Sequence, residues 1–133
     1  MPVIDVHTHM LSRDFLALLQ EQGGHYKIAK TKAGQETIYN EGAPFMTLFP
    51  AMWDYDQRIK DMDKAGVDVA IVSLTSPNCY FGSRETSLKA ARMVNDSMAA
   101  QQRARPGRIR WFASLPWQYV DDAKAELARA VKE

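Results

Sequence analysis

The run VDVAIVSL, residues 67–74, limits the possible folds more than any other stretch of the chain. It is almost continuously apolar and β-branched, without the alternation of a strand that keeps one face in water. Such a run is expected where a strand is covered on both faces, as in a parallel sheet flanked by helices. Its surroundings agree. Upstream, Asp54 with Gln57 three residues on resembles a capping box, Ile59, Met62 and Ala65 make an apolar stripe, and Gly66 closes the helix. Downstream, TSPNCYFGS reads as loop. A longer helix is expected from about Arg84 to Arg103, with Leu88, Ala91, Met98 and Ala99 on its apolar side and Pro106-Gly107 ending it. IRWFASL (109–115) is the next strand, closed by Pro116. A last helix starts at Asp121 or Asp122 and carries Ala125, Leu127, Ala128 and Val131.

The front of the chain adds a strand and a helix. Residues 2–7 (PVIDVH) read as a short strand, with Val3, Asp5, His7 and His9 on one parity and Ile4, Val6 and Thr8 on the other. Ser12 is placed to cap a helix running through about Gln22, with Phe15, Leu18 and Leu19 at helical spacing, and Gly23-Gly24 stops it. Residues 25–50 differ: YKIAK, ETIYN and FMTLF are short β-prone runs separated by the turn-like TKAGQ and EGAP. They predict a small antiparallel excursion within the same domain.

The resulting alternation of strands and helices defines an α/β chain built from βαβ units, with a mainly parallel sheet and right-handed crossovers. Three parallel strands leave two open edges. AELARAVKE carries helical pattern to the last residue without a capping glycine. The expectation is that residues 1–133 are the front part of a single larger α/β domain, whose remainder is absent from this sequence.

Composition bears mainly on partners. With 46% hydrophobic and 25% charged residues and a net charge of +1, the chain is an ordinary globular polypeptide without a strong field. Neither a nucleic-acid nor a membrane partner is expected. The basic cluster Arg103–Arg110 (RARPGRIR) reads as a solvated helix end and turn. A single cysteine, Cys79, excludes an internal disulfide and fits a reducing compartment. Nothing nearby in sequence would activate it as a nucleophile. No apolar run approaches the ~20 residues of a membrane span, and no signal peptide is evident, so the cytoplasm is the expected location.

The chemistry gathers in VIDVHTHM, residues 3–10. Strand alternation places His7 and His9 on one face, roughly 6.5–7 Å apart along the strand. At that separation two imidazoles can converge on one ion, with Zn–N bonds of about 2.0–2.1 Å. They lie at the strand's C-terminal end, where catalytic groups collect in parallel α/β barrels. Asp5, on the same parity, is a candidate for orienting an imidazole from deeper in the barrel. H-x-H pairs also arise by chance, and zinc needs at least three protein ligands. His25, the remaining histidine, reads as a surface residue of the excursion. Thr75, Ser76 and Asn78 follow the second parallel strand on the same rim, where they could bind substrate or cap the loop. Trp53 and Trp117 sit at loop–helix junctions, and core or lid packing is the favoured reading of both.

Taken together, DVHTHML, WDYDQRIKDMDKAGVDVAIVSLTSP and RWFASLPWQ resemble the front of amidohydrolase-superfamily proteins. The most similar branch contains aminocarboxymuconate-semialdehyde decarboxylase and related non-oxidative decarboxylases. The resemblance covers essentially the whole chain, and its combined pattern is more specific than the H-x-H alone. It implies the front portion of a (β/α)₈ TIM barrel holding one divalent metal, usually zinc, with His7 and His9 matching the first two ligands. It also implies that the remaining ligands, a histidine and an aspartate, and an acid–base histidine come from strands beyond residue 133. One position departs from the pattern. Where the aminocarboxymuconate enzymes carry an arginine that meets a substrate carboxylate, this chain has Phe49, and a phenyl ring cannot clamp a carboxylate.

The expected function is metal-dependent loss of CO₂ from an aromatic or unsaturated carboxylic acid, in a protein for which the family makes a homodimer plausible. Two alternatives stay open at this level: metal-dependent hydrolysis of an ester, lactone or amide on the same scaffold, and a non-catalytic module that binds a partner through an open sheet edge.

Overall fold

A computed structural model describes residues 1–132. In chain order the elements are β1 (Ile4–His9), α1 (Arg13–Gln22), β2 (Tyr26–Lys30), β3 (Glu36–Asn40), β4 (Ala43–Thr47), a 3₁₀ turn (Pro50–Met52), α2 (Tyr55–Ala65), β5 (Val69–Ser73), α3 (Arg84–Ala104), β6 (Ile109–Trp111) and α4 (Val120–Ala130). Two three-stranded sheets result. One is parallel, in the order β1-β5-β6, and the other is an antiparallel meander, β2-β3-β4.

The helix signals act locally as their residues suggest. Ser12 accepts from the Phe15 amide, and Gly23 returns its N–H to the Leu19 carbonyl. Asp54 caps α2 by accepting from the amides of Asp56 and Gln57, and Gly66 ends that helix in the left-handed region at φ 70°. The capping box is only half made, because the Gln57 side chain donates to Asp61 at 2.9 Å rather than reaching back to the Asp54 backbone, whose N–H goes to the Pro50 carbonyl. Ala65 of the expected stripe is exposed, while Tyr55 and Met62 are the buried residues of α2.

The core lies between the parallel sheet and helices α1 and α3. Phe15 and Leu19 of α1, Val72 of β5, Ala90, Ala91 and Val94 of α3, and Ile109 of β6 are at or near zero exposure. The antiparallel sheet joins this core through the fully buried Ile38. The junction before α3 is tight. Gly82 adopts φ 67°, and a Cβ there would stand 2.8 Å from the Gln22 carbonyl oxygen and from the Thr86 methyl. Only a residue without a side chain lets the end of α1 meet the start of α3 so closely.

Four expectations need correction. Among the described residues β5 is covered on one face: Ala70 and Val72 are buried, whereas Val69, Ile71 and Ser73 are half-exposed. β6 is shorter than 109–115. After Phe112 donates to the Val72 carbonyl, the side chain of Asn95 replaces the ladder, accepting from the Ser114 amide at 2.8 Å and donating to its carbonyl at 2.9 Å. β4 begins at Ala43, inside the stretch expected to be a turn.

The fourth correction concerns α4, whose packed face is Ala123, Glu126 and Ala130. The residues expected to pack, Ala125, Leu127, Ala128 and Val131, are all exposed, Val131 at 73%. Glu126 is buried because its carboxylate is fully partnered, by Asn95 at 2.7 Å and by two Arg129 nitrogens at 2.7 and 2.8 Å. Burial opposes its ionisation, but the hydrogen bonds from Arg129 and Asn95 outweigh that and hold the carboxyl below its ordinary range.

Candidate metal centre

The C-terminal end of β1 is fixed by its pairing with β5. Thr8 lies opposite Val72 and His9 opposite Ser73, and the Met10 amide continues the ladder to the Ser73 carbonyl at 3.0 Å. Neighbouring residues in a sheet share a face. His9 therefore stands on the half-open side with Val69, Ile71 and Ser73, and Thr8 is buried on the helix-covered side with Val72. The ring centres of His7 and His9 are 5.1 Å apart, with the planes at 83°. This is closer than a two-residue step along a strand, roughly 6.5–7 Å. Two imidazoles bound to one tetrahedral ion at the usual Zn–N length would have ring centres about 5 Å apart. The separation of the pair is that of two imidazoles on one ion.

Asp5 does not belong to that set. The register slips between Asp5 and Thr8, and this bulge breaks the alternation expected for the strand. Asp5 pairs with the buried Ala70, on the side opposite His9, and its carboxylate accepts from the His7 backbone amide at 3.1 Å rather than from an imidazole. His25 is exposed in the turn before β2 and lies against the Tyr26 ring, with ring centres 4.4 Å apart. Among the described residues no three His, Cys, Asp or Glu side chains gather where they could hold one ion. The chain's imidazoles fit two positions of a metal site and leave the others to be filled.

Two groups that sequence reasoning passed over hold His9. Ser73 Oγ lies 3.0 Å from His9 Nδ1 and also donates to the Thr8 carbonyl at 3.4 Å. Arg58 of α2 donates to the His9 carbonyl at 3.2 Å. The available signal for Ser73 was a lone hydroxyl closing an otherwise apolar strand.

The other candidates separate clearly. Asn78 serves its own loop, donating to the Leu74 carbonyl at 3.3 Å and accepting from the Cys79 amide at 2.9 Å. Thr75 is half-buried and Ser76 exposed. Trp53 packs under Arg13, whose guanidinium carbon is 3.9 Å from the ring centre. Trp117 does not pack in the core. It is 64% exposed and lines an open hollow with Tyr80 and Gln118 on the rim. Cys79 is buried, and burial pushes its thiol up to about 12, so it is not poised as a nucleophile. The basic cluster is more than a solvated turn. Arg108 bonds Asp63 at 2.6 Å and the Asp68 carbonyl at 2.8 Å, and Arg105 pairs with Asp56.

No protein-family model matches the sequence. Gamma-resorcylate decarboxylase of Rhodococcus jostii (strain RHA1) is 40% identical over 79 residues, which is 59% of this chain and 24% of that protein. The 2-amino-3-carboxymuconate-6-semialdehyde decarboxylase of Dictyostelium discoideum is 28% identical over 134 residues, covering 98% of this chain and 37% of its own length. The chain thus spans well under half the length of these curated relatives. Among solved structures, dihydroxybenzoic acid decarboxylase from Polaromonas sp. JS666, with bound manganese and the inhibitor 2-nitroresorcinol, superposes at a TM-score of 0.70. It is 27% identical, and the match covers all of this chain and 36% of that one. The apo form of Metarhizium anisopliae IDCase superposes at 0.83 with 21% identity, covering 96% of this chain and 39% of that one, a likeness of fold alone. No helix among the described residues is long and apolar enough to cross a membrane.

Proposed function

We propose that this chain, a homologue of amidohydrolase-superfamily decarboxylases, supplies the first strands and two metal ligands of a metal-dependent carboxy-lyase. The reaction would be loss of CO₂ from an aromatic or unsaturated carboxylic acid, inside a (β/α)₈ barrel continued by strands beyond residue 133. The observation that carries the proposal is the His7–His9 pair, two rings 5.1 Å apart on the open face at the C-terminal end of a parallel strand. Decarboxylation is favoured over hydrolysis because both curated relatives are named for it.

In this reading His7 and His9 hold the ion and take no proton from the substrate. When bound, a divalent ion polarises the carboxylate or a water beside it. The proton would be handled by a histidine of a later strand. Ser73 and Arg58 keep His9 in place from the side and from its backbone. Phe49 is 52% exposed, and by the resemblance it stands where the aminocarboxymuconate enzymes present an arginine. A ring there suits an aryl acid with one carboxylate better than a dicarboxylic acid.

We propose zinc as the ion, since imidazole donors suit it. Manganese, held by the Polaromonas relative, is the competing occupant, favoured if the unfilled positions are carboxylate and water. A cytoplasmic homodimer completes the proposal, the location resting on the lone thiol of Cys79. The decisive experiment supplies the full-length protein with a panel of aryl acids and lactones and measures CO₂ release against acid formation. Release of CO₂, lost with chelator and restored by metal, is expected. Turnover of lactones or esters alone would overturn the decarboxylase reading.

A further inference from the structure

We infer that Ser73 is a positioning residue that locks His9 in its Nδ1–H form, so that Nε2 is the nitrogen presented to a cation. The inference rests on the reading of His7 and His9 as metal ligands and deepens it.

A neutral imidazole has one N–H and one nitrogen lone pair, and only the lone pair can bind a metal. In His9, Nδ1 is engaged by Ser73 Oγ at 3.0 Å, which leaves Nε2 as the available donor. The direction of that hydrogen bond decides whether Nε2 carries a proton. A serine hydroxyl has a single hydrogen. Donated to Nδ1, it would force the imidazole hydrogen onto Nε2 and close that nitrogen to a metal. Ser73 has another acceptor within reach, the Thr8 carbonyl at 3.4 Å, which can only accept. With its hydrogen there, Oγ turns a lone pair to Nδ1, and Nδ1 must donate. The Ser73 hydroxyl and His9 Nδ1 are then both satisfied, and Nε2 is free to coordinate.

The contact is built into the backbone. His9 and Ser73 face each other in the parallel register, and the Met10 amide holds the Ser73 carbonyl at 3.0 Å. From the other side, Arg58 holds the His9 carbonyl at 3.2 Å. Ring and hydroxyl meet because the two strand ends are pinned. A partner of this kind raises metal affinity by fixing ring direction and tautomer, and its loss typically weakens binding by about 10–100-fold.

The test uses the full-length protein. Nitrogen-15 NMR of the metal-free histidines should show His9 protonated on Nδ1. Zinc titration against a competing chelator should show Ser73→Ala binding about 10-fold more weakly than wild type. Ser73→Thr, which keeps a hydroxyl, should restore the affinity. A His9 that carries its hydrogen on Nε2, or a folded Ser73→Ala with wild-type affinity, would overturn the inference. If Ser73→Ala does not fold, the wild-type tautomer and the threonine variant decide. Zinc binding indifferent to His9→Ala and His7→Ala would instead sink the ligand reading, and this inference with it.

Discussion

At the N-terminal end of the parallel sheet the charged groups are matched to one another. Arg108 bridges Asp63 and the carbonyls of Val67 and Asp68, Arg105 joins Asp56, and Asp68 accepts from the Val3 amide at 2.7 Å. At the C-terminal end the side chains of His7, Tyr80 and Trp117 face solvent, while the His9 ring is held by Ser73. One end ties α2, β5, β6 and the turn after α3 together. The other leaves its rings accessible and takes its rigidity from beneath, through Arg58 and through Asn95 under the loop that leads to Trp117. Exposed ion pairs thus gather at one end of the strands and accessible rings at the other, and the proposed chemistry belongs to the second, the end where parallel barrels keep it.

The sharpest way to break this contrast is at the rim. His9→Ala should remove metal and lower kcat/KM by roughly 10³-fold or more while leaving the urea midpoint of the metal-free protein nearly unchanged, because several kcal/mol of charge stabilisation is lost from the reaction and little from the polypeptide fold. A large loss of stability with metal retained would erase the distinction. Asn95→Ala should cost about 3 kcal/mol of stability, since both backbone groups of the buried Ser114 lose their partner and Glu126 loses a donor. Urea unfolding checks it.

Acid sharpens the same layer. The Glu126 carboxyl titrates below its unfolded value. Its stabilisation is therefore complete above the ordinary carboxylate range and is lost as pH falls through the folded value. Stability measured from about pH 6 down to pH 3 should decline, and Glu126→Gln should flatten that decline. The smallest effect belongs to the other end. Arg108→Met should cost about 1–2 kcal/mol, because it gives up one half-exposed ion pair and two bonds to carbonyls, with metal content and kcat untouched.

The parallel strands and the first two helices were legible because each carried its own punctuation: Ser12 and Gly23 around α1, Asp54 and Gly66 around α2, and an apolar run for β5. The closeness of His7 and His9 followed from their two-residue spacing, whereas their reading as ligands drew on their place at a strand end and on the wider resemblance. Asp5 was misplaced because a bulge adds a residue to the strand without any compositional mark, so parity counted past it is wrong. The packed face of α4 was misread for a different reason. Hydrophobicity assigns Leu127 to the interior and Glu126 to water, whereas the acid is buried by partners that lie 31 residues away on α3 and three residues ahead on α4. Pairing across that separation leaves no periodic trace. Ser73 escaped notice because a serine at a strand end has many ordinary uses, and only the register shows which ring it faces.

Gly82 and Gly34 share a positive φ, yet their neighbourhoods differ completely: a Cβ at Gly34 meets nothing within 4 Å, and one at Gly82 runs into Gln22 and Thr86. A saturation screen should separate the two at once. Position 34 would tolerate asparagine or aspartate, residues that accept the left-handed conformation. Position 82 would reject even alanine, because the helix ends on either side have no slack to yield. Any engineering of this scaffold by loop replacement has to carry that glycine along as a fixed joint.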